Sequence, residues 1–239
     1  MQLSAYAYTN RGGRDHNEDS LRASAEQGIF VLADGLGGHR CGEVASQAAV
    51  DAIFTGMAQA EALEGAGLLD LFRSANEELL RRQAQPGQEE MRTTAVALKL
   101  AGSTAVWAHI GDSRLYRFSN GELAGVTADH SVTYRKFLGG EISYMDVYHD
   151  DDRSRLLRVL GKEPCRPEAG QAAVSPGDAF LLCSDGFWEF VYNEEIQADL
   201  CRARTPEEWA EGMLLRHIRR TPPGSDNFSL ITVFVEACG

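Results

Sequence analysis

The chain has 239 residues, of which 44% are hydrophobic and 24% charged, the composition of an ordinary globular protein. Its formal net charge of −12 argues against a nucleic-acid partner, because nucleic-acid-binding domains usually present a basic face. The densest basic stretch, residues 216–220, is better interpreted as the exposed face of a helix. The five cysteines are odd in number, widely spaced and without a C-x-x-C motif, which argues against a disulfide framework or a zinc knuckle.

The N-terminal residues contain no apolar signal core, and no window approaches the roughly 18 apolar residues that span a bilayer. We therefore predict a cytoplasmic protein with no membrane contact. No proline- or serine-rich linker interrupts the chain, so we expect one domain over residues 1–239. We also expect a monomer.

Hydrophobic patterning predicts a series of short strands and helices. In chain order these are strands at 3–8 and 28–33, helices at 42–60 and 68–84, strands at 94–100, 104–110, 114–118 and 179–184, helices beginning near 193 and 205, and a strand at 229–236. Thr205 is the expected N-cap of the last helix, with Pro206 and Glu208 completing its first turn, and Asn193 is the expected N-cap of the helix before it. Short strands joined by short loops favour antiparallel pairing and an α+β fold with helices covering the sheets.

Aspartates recur where the predicted strands end or begin. They are Asp34, Asp112 and Asp185 after apolar strands, Asp226 before the last strand, and Asp19 at the edge of the first strand region. Carboxylates that converge at one rim of a sheet repel one another unless they bind a cation, and Mg²⁺ and Mn²⁺ prefer oxygen ligands. The pattern therefore indicates a two-metal site that activates water. On spacing alone the alternative stays open, in which each Asp-Gly is only a turn and Asp226 only a cap or turn residue.

Eight short motifs occur in an order that resembles one protein family. They are "RDHNEDS", "VLADGLGGH" with "GEVAS", "TTAVAL", "AHIGDSRLYRF", "TADHS", "LLRVLG", "LLCSDGFWEFV" and "SDNFSLITV". Each motif is weak, but the ordered set resembles the bacterial branch of the metal-dependent protein phosphatases, the protein phosphatase 2C type, over about residues 5–235. The resemblance implies a four-layer α-β-β-α sandwich, in which two antiparallel sheets are flanked by helix pairs. It also implies a serine/threonine protein phosphatase with two catalytic Mn²⁺ or Mg²⁺ ions.

The resemblance assigns a role to each matching residue. Asp34 matches the carboxylate that bridges the two catalytic metals, and Gly35 matches the residue whose backbone carbonyl binds one of them. Asp185 and Asp226 match further ligands of the second metal. A hydroxide that bridges the two metals is then expected to attack phosphorus in line.

Four more residues receive roles in the same way. Asp19 and Glu18 fall where the family has acidic or amide groups near the first metal, with Glu18 acting through water. Asp112 matches an aspartate that holds a third, weaker metal together with Asp185. Arg14 matches the arginine that binds the substrate phosphate, which suits a guanidinium fork. From the residues alone, Arg14 would be a surface arginine paired with Asp15.

The sequence departs from many eukaryotic members at Leu36, which stands where they have a histidine proposed as the general acid. This leaves the proton donor unassigned, with a metal-bound water as our expectation and His39 as the weaker alternative. His130 is expected to organise a turn before the next helix, with Ser131 as that helix's cap.

Supporting residues are also expected around the site. Thr93 and Thr94 are predicted to orient the strand entry without binding a metal, and the aromatics that follow Asp185 are predicted to pack beneath it. Residues 131–155 match the family least well and are expected to form a flap-like insertion at the active-site rim. The acidic run 150–152 is interpreted as a solvated turn, with a metal feature as the alternative.

Three functional hypotheses compete. The first is a phosphatase that acts on phosphorylated proteins, opposes a Ser/Thr kinase and dephosphorylates that kinase and its targets, with a weaker likeness to members that regulate type VI secretion. The second is a non-catalytic binding member of the same fold, which the intact ligand positions disfavour. The third is a phosphohydrolase of small phosphate esters, which the ordered motifs disfavour.

Overall fold

The computed structural model describes residues 2–36, 41–60 and 63–236. The strands are β1 (Gln2–Asn10), β2 (Asp19–Ser24), β3 (Ile29–Leu36), β4 (Arg92–Thr93), β5 (Ala95–Ala101), β6 (Thr104–Ile110), β7 (Arg114–Ser119), β8 (Glu122–Val126), β9 (Glu168–Ala173), β10 (Ala179–Cys183) and β11 (Phe228–Glu236). The helices are α1 (Cys41–Gln59), α2 (Gly65–Arg82), α3 (Val132–Leu138), a 3-10 helix (Met145–Tyr148), α4 (Asp185–Trp188), α5 (Asn193–Leu200) and α6 (Pro206–Arg220).

The strands form two antiparallel sheets. The first has the order β1-β11-β10-β7-β8, and the second has the order β2-β3-β5-β6-β9, with β4 also paired to β3. Every strand pair is antiparallel. The predicted α+β class with antiparallel sheets is therefore confirmed.

Three apolar clusters divide the molecule into four layers. The middle cluster contains Phe30 and Leu98 from the second sheet and Phe180 and Ile231 from the first, so the two sheets pack face to face. A second cluster joins the outer face of the second sheet to α1 and α2, and a third joins the outer face of the first sheet to α5 and α6. This is the α-β-β-α sandwich that the resemblance implied.

Of the edge strands, the sequence pattern found only β1, whereas it found all the central strands of the two main sheet paths. All seven predicted strands are present, with ends shifted by at most three residues and with β6 matched at both ends. The strands missed are β2, β4, β8 and β9, of which β2, β8 and β9 lie at sheet edges and β4 has two residues. Edge strands bury less side-chain surface, so "ELAGV" and "EAGQAA" carry little apolar alternation.

Two of the three predicted helix caps are correct. Thr205 accepts the backbone N–H of Glu208 at 3.1 Å, and Ser131 accepts that of Tyr134 at 3.1 Å. The prediction for Asn193 is wrong, because this residue is the first of α5 and Tyr192 is the N-cap. The Asn193 amide is instead held between tyrosine hydroxyls of the 131–155 segment.

The interpretation of residues 216–220 as an exposed basic face is wrong in part. His217 is buried, and Arg216 and Arg220 form ion pairs with Asp199 and Glu195 respectively. Within the described ranges no helix is both long and apolar enough to cross a bilayer. The four cysteines in those ranges, Cys41, Cys165, Cys183 and Cys201, are free thiols.

Candidate metal centre at the strand ends

Strand register brings the first two aspartates together. β2 begins at Asp19, which lies directly opposite Asp34 in the antiparallel pair with β3. Side chains of directly opposed residues project from the same face of a sheet, with Cβ atoms about 4.5–5.5 Å apart. The two carboxylates therefore share one edge of the second sheet.

Two further aspartates are brought together at the end of the first sheet. Cys183 of β10 is paired with Arg114 of β7. Two residues beyond this pair, the chains reach Asp185 on one side and Asp112 on the other. Coulombic repulsion couples these two groups to each other, and Asp34 is coupled to both. We name Asp19, Asp34, Asp112 and Asp185 the strand-end cluster.

Asp226 and Arg14 lie at the solvent side of this cluster. Arg14 Nη2 donates to Asp226 Oδ2 at 2.9 Å, and both side chains are about half exposed. The partner of Arg14 is thus Asp226 and not Asp15. Asn227 organises the loop that carries Arg14, because its amide donates to the carbonyls of Arg11 and His16.

The backbone of Glu18 is hydrogen-bonded to Gly35, the residue after Asp34, and to Asn227, the residue after Asp226. Its carbonyl accepts the N–H of Gly35 at 3.1 Å, and its own N–H donates to Asn227 Oδ1 at 2.8 Å. Gly35 leaves no room for a side chain, since an added Cβ would lie 2.2 Å from the carbonyl oxygen of Gly42 and 2.8 Å from that of Glu18. Glycine is therefore required where β3 passes between α1 and the Glu18 backbone.

Serine and threonine hydroxyl groups form hydrogen bonds with two aspartates of the cluster. Ser184 and Ser229 both donate to Asp19 Oδ2, at 2.9 and 2.7 Å. Thr94 Oγ1 accepts the N–H of Asp34 at 3.0 Å, and Thr93 Oγ1 donates to its carbonyl at 2.7 Å. The two threonines thus support Asp34 as predicted, while the serines were missed although "CSDG" and "SDNFS" contain them.

The electrostatics of the cluster are those of crowded acids without a counterion. Burial raises the pKa of Asp19 to about 7, and the hydrogen bonds from Ser229 and Ser184 offset only part of this. Burial and then the charges of Asp19 and Asp185 raise the pKa of Asp34 well above its usual range. Burial also raises the pKa of Asp112 and Asp185. Each group would ionise more readily beside a cation.

The donor set fits divalent metal ions. Asp19 Oδ1 and Asp185 Oδ1 are buried carboxylate oxygens without a hydrogen-bond partner, which is costly in the absence of a cation. Their neighbours are further carboxylate oxygens, the ligands preferred by Mg²⁺ and Mn²⁺. Asp19, Asp34, Asp112 and Asp185 can hold such ions inside the cluster, and Glu18 and Asp226 can complete the ligand sets from the rim.

A cavity of about 250 Å³ opens beside Asp185 and Asp226. Arg14 lines it from one side and Arg153, in the 131–155 segment, from another. Arg153 is fixed by an ion pair with Glu189 at 2.9 Å. Burial, and then the charge of Asp185, raises the pKa of Glu189 to about 7. Sequence reasoning missed Arg153, since nothing in its local pattern distinguishes it from a surface arginine.

The 131–155 segment contributes two short helices and a second acidic group. We name residues 150–152 the acidic turn. Lys136 of α3 pairs with Asp150 at 3.1 Å and with Asp152 at 2.8 Å, and Arg155 pairs with Asp152 at 2.9 Å. These carboxylates already have cations from their own segment, which supports a turn over a metal feature, although Asp150 and Asp152 are ion-paired and not fully solvated as predicted.

A buried ion pair, missed from the sequence, underlies Asp112. The Arg114 guanidinium donates to both oxygens of Asp129, at 2.8 and 2.7 Å, and lies 3.5 Å over the ring of Trp188. Trp188 Nε1 in turn donates to the carbonyl of Asp112 at 2.9 Å. Phe187 and Trp188 are buried, as predicted for the aromatics after Asp185, whereas Phe190 is only partly buried and lines the cavity. Leu36 ends β3, and His39 lies outside the described residues.

Comparison with known proteins identifies similar chains over nearly the whole length. A family model described as "Protein phosphatase 2C" matches residues 9–213. The "Serine/threonine phosphatase stp" of Listeria monocytogenes is 34% identical over 237 residues, which cover 94% of this chain and 93% of that protein.

Solved structures give the same result. The catalytic domain of the serine threonine protein phosphatase PstP, in complex with two manganese ions, is 30% identical with a TM-score of 0.87, covering 98% of this chain and 99% of that chain. PppA, described as a key regulatory component of T6SS (the type VI secretion system) in Pseudomonas aeruginosa, is 27% identical with a TM-score of 0.82 and covers 98% of each chain.

Proposed function

Because this chain belongs to the protein phosphatase 2C family, we propose that it is a metal-dependent phosphatase that hydrolyses phosphoserine and phosphothreonine in proteins. One observation carries the proposal for this chain: Asp19 and Asp185 each keep a buried carboxylate oxygen without a partner in the strand-end cluster. A non-catalytic relative would have no reason to retain this unfavourable arrangement.

The residues would share two catalytic Mn²⁺ or Mg²⁺ ions, as the two-manganese structure of PstP supports. Asp34 would bridge the ions, Gly35 would offer its carbonyl, and Asp185 and Asp226 would bind the second ion. When bound, the ions supply an activated water as nucleophile and neutralise the phosphate charge.

The first ion would lie near Asp19, and Glu18 would reach it through water. Asp112 would hold a weaker third ion together with Asp185. Ser184 and Ser229 hold Asp19 by its Oδ2 atom, which leaves Oδ1 free to face a cation.

Arg14 would bind the substrate phosphate in the cavity beside Asp185. Its guanidinium lines that cavity, is half exposed, and can offer two parallel N–H donors to phosphate oxygens. Leu36 has no proton to donate, so we propose that a water of the site protonates the departing serine or threonine oxygen.

The substrates would be phosphorylated proteins, among them a Ser/Thr kinase and its targets. The likeness to PppA supports a role in regulating type VI secretion as one setting for this activity. We further propose that the protein works in the cytoplasm as a monomer, with one catalytic domain over residues 1–239 and residues 131–155 as its flap-like insertion.

Phosphate release from a phosphothreonine peptide tests the proposal. We expect release with Mn²⁺ or Mg²⁺, none in excess chelator, and a loss of at least about a thousandfold in Asp34→Asn and Asp185→Asn. Asp150→Asn, which changes a carboxylate of the acidic turn, is the matched control and should retain full activity. Equal activity of Asp34→Asn and wild type would refute the metal assignment.

Two further results would support the competing hypotheses. Hydrolysis of small phosphate esters without any activity on phosphopeptides would favour the small-molecule phosphohydrolase. Binding of phosphopeptides without hydrolysis, at any divalent ion concentration, would favour the non-catalytic binding protein.

A further inference from the structure

In the strand-end cluster, the glycines that adjoin Asp112 and Asp185 in the chain are each hydrogen-bonded to a buried histidine. The N–H of Gly111, which precedes Asp112, donates to Nδ1 of His130 at 3.1 Å. The carbonyl of Gly186, which follows Asp185, accepts Nε2–H of His217 at 2.8 Å. His130 lies in the loop just before α3, and His217 lies in the last turn of α6.

His130 holds Gly111 through two bonds. Besides the ring contact, the backbone N–H of His130 donates to the carbonyl of Gly111 at 2.9 Å. Gly111 has a φ of +100°, a left-handed conformation that is strained for other residues. With Trp188 bound to the carbonyl of Asp112, the backbone is fixed on both sides of the Asp112 carboxylate.

His217 holds the turn after Asp185. Its ring is stacked on Phe187 with centroids 5.7 Å apart and lies 4.1 Å from the centroid of Phe228. Thr221 Oγ1 lies 3.2 Å from Nδ1, so both ring nitrogens have polar neighbours. The imidazole is therefore locked in one orientation, and its bond to Gly186 transmits the position of α6 to the residue beside Asp185.

We propose that His130 and His217 are positioning residues that set the carboxylates of Asp112 and Asp185 for divalent metal binding. The inference rests on the proposed function, because it concerns the ions that those aspartates would hold. Asp185 is assigned to the second and third ions, and Asp112 is assigned to the third ion only. His217, which acts through Asp185, should therefore affect the binding of the second and third ions. His130, which acts through Asp112, should affect only the third and weakest ion.

A direct metal-binding role for His130 fits the structure less well. Ligand atoms of His109, His130 and Glu168 lie within 4.8 Å of one another. The Arg158 guanidinium already occupies this group, at 3.2 Å from His130 Nε2 and 2.5 Å from Glu168 Oε1. The two imidazoles are also stacked, with centroids 4.6 Å and planes 17° apart, so their lone pairs lie in two separate, nearly parallel planes and do not converge on one ion.

Isosteric substitutions isolate the two ring contacts. The amide oxygen of asparagine is as many bonds from Cα as histidine Nδ1, and the amide nitrogen of glutamine as many as Nε2. His130→Asn therefore keeps the acceptor for Gly111, and His217→Gln keeps the donor to Gly186. His130→Leu and His217→Leu remove these groups, and the exchanged pair His130→Gln and His217→Asn puts the amide at the wrong ring position.

The primary measurement is a Mn²⁺ titration of the full chain, in which electron paramagnetic resonance gives the concentration of free Mn²⁺. For His130→Leu we expect the weakest binding step alone to weaken about 10–100-fold, and for His217→Leu two steps to weaken. His130→Asn and His217→Gln should bind within about threefold of wild type. The exchanged pair should bind like the leucine variants, and serves as the test if the latter do not fold.

The melting temperature of the metal-free variants separates positioning from general stability. If the histidines had a purely structural role, the variants would melt at lower temperature, but Mn²⁺ binding would not separate His130→Asn and His217→Gln from the other variants. That result would overturn the inference. Isotherms of the leucine variants that overlay wild type would overturn it as well. If wild type bound no Mn²⁺ at all, the proposed function itself would fail, which is a distinct outcome.

Discussion

Two acidic groups in this protein have opposite electrostatics. In the strand-end cluster, burial and mutual repulsion raise the pKa values of Asp19, Asp34, Asp112 and Asp185. In the acidic turn, hydrogen bonds lower the pKa values of both paired aspartates. Asp150 accepts hydrogen bonds from the Asp152 backbone and from Lys136. Asp152 accepts hydrogen bonds from Lys136 and Arg155. In the run of three consecutive aspartates, Asp150 and Asp152 thus have cationic partners, whereas the dispersed aspartates form the group that still needs a cation.

The difference arises from where each group lies in the fold. The acidic turn lies on the surface beside α3, where Lys136 and solvent can reach it. The strand-end cluster lies where two sheets end against each other, and its nearest groups are serine and threonine hydroxyls and other carboxylates. Hydroxyls orient a carboxylate but do not neutralise it, so the cluster remains a site for cations.

The largest expected effect is a reversal of stability between Asp34→Asn and wild type. A carboxyl whose pKa is raised in the folded state keeps a proton that the unfolded chain has lost, so its contribution to stability disappears as pH rises from about 4 through the folded-state value. In chelator, Asp34→Asn should therefore be the more stable protein at pH 8, and its advantage over wild type should shrink at pH 5.

Excess Mn²⁺ should reverse this order, because only the wild-type cluster gains stability from the ion. Urea unfolding at pH 5 and pH 8, with chelator and with Mn²⁺, measures all four values. Asp150→Asn provides the comparison from the acidic turn and should not become more stable than wild type at pH 8. The contrast between the two groups would break down if the two variants behaved alike.

An intermediate effect is expected at Ser184, which donates to Asp19 Oδ2 from a fully buried position. Ser184→Ala should raise the Mn²⁺ concentration for half-maximal activity about 10–100-fold, because Asp19 loses a group that orients it. The matched control is Ser20→Ala, since Ser20 is also buried but bonds to Ser46 at 2.9 Å and to no carboxylate of the cluster. Identical Mn²⁺ dependence in the two variants would argue against an orienting role for Ser184.

Sequence reasoning predicted the cluster because it depends on a rule that local patterns express. Residues that follow apolar strands gather at sheet ends, so the sequence pattern indicated that Asp34, Asp112 and Asp185 could converge, although on spacing alone each could also be a turn residue. The order of the motifs added the α-β-β-α sandwich through resemblance. Strand register then explains what the sequence only suggested, since Asp19 lies directly opposite Asp34.

The supporting contacts could not be predicted, because they join residues that are distant in the chain. Arg153 reaches the active-site cavity through a segment whose path depends on tertiary packing, and His217 turns inward from a stretch that looked like an exposed basic helix face. Helical periodicity places His217 on a face shared with Met213 and Leu214, which are buried. The spacing of these residues therefore indicated a buried His217, but the arginines next to it favoured the prediction of an exposed face.

The smallest expected effect concerns the acidic turn itself. Asp150 pairs with Lys136 and also accepts the backbone N–H of Asp152 at 2.8 Å, whereas Asp151 is exposed. Asp150→Asn should lower the melting temperature by no more than a few degrees, because the Lys136–Asp150 pair lies near the surface, and Asp151→Asn should leave it unchanged. Both variants should bind Mn²⁺ with the wild-type isotherm, because Lys136 already neutralises this turn. A lost Mn²⁺ equivalent in Asp150→Asn would instead make the turn a metal site, and the distinction between the two acidic groups would no longer hold.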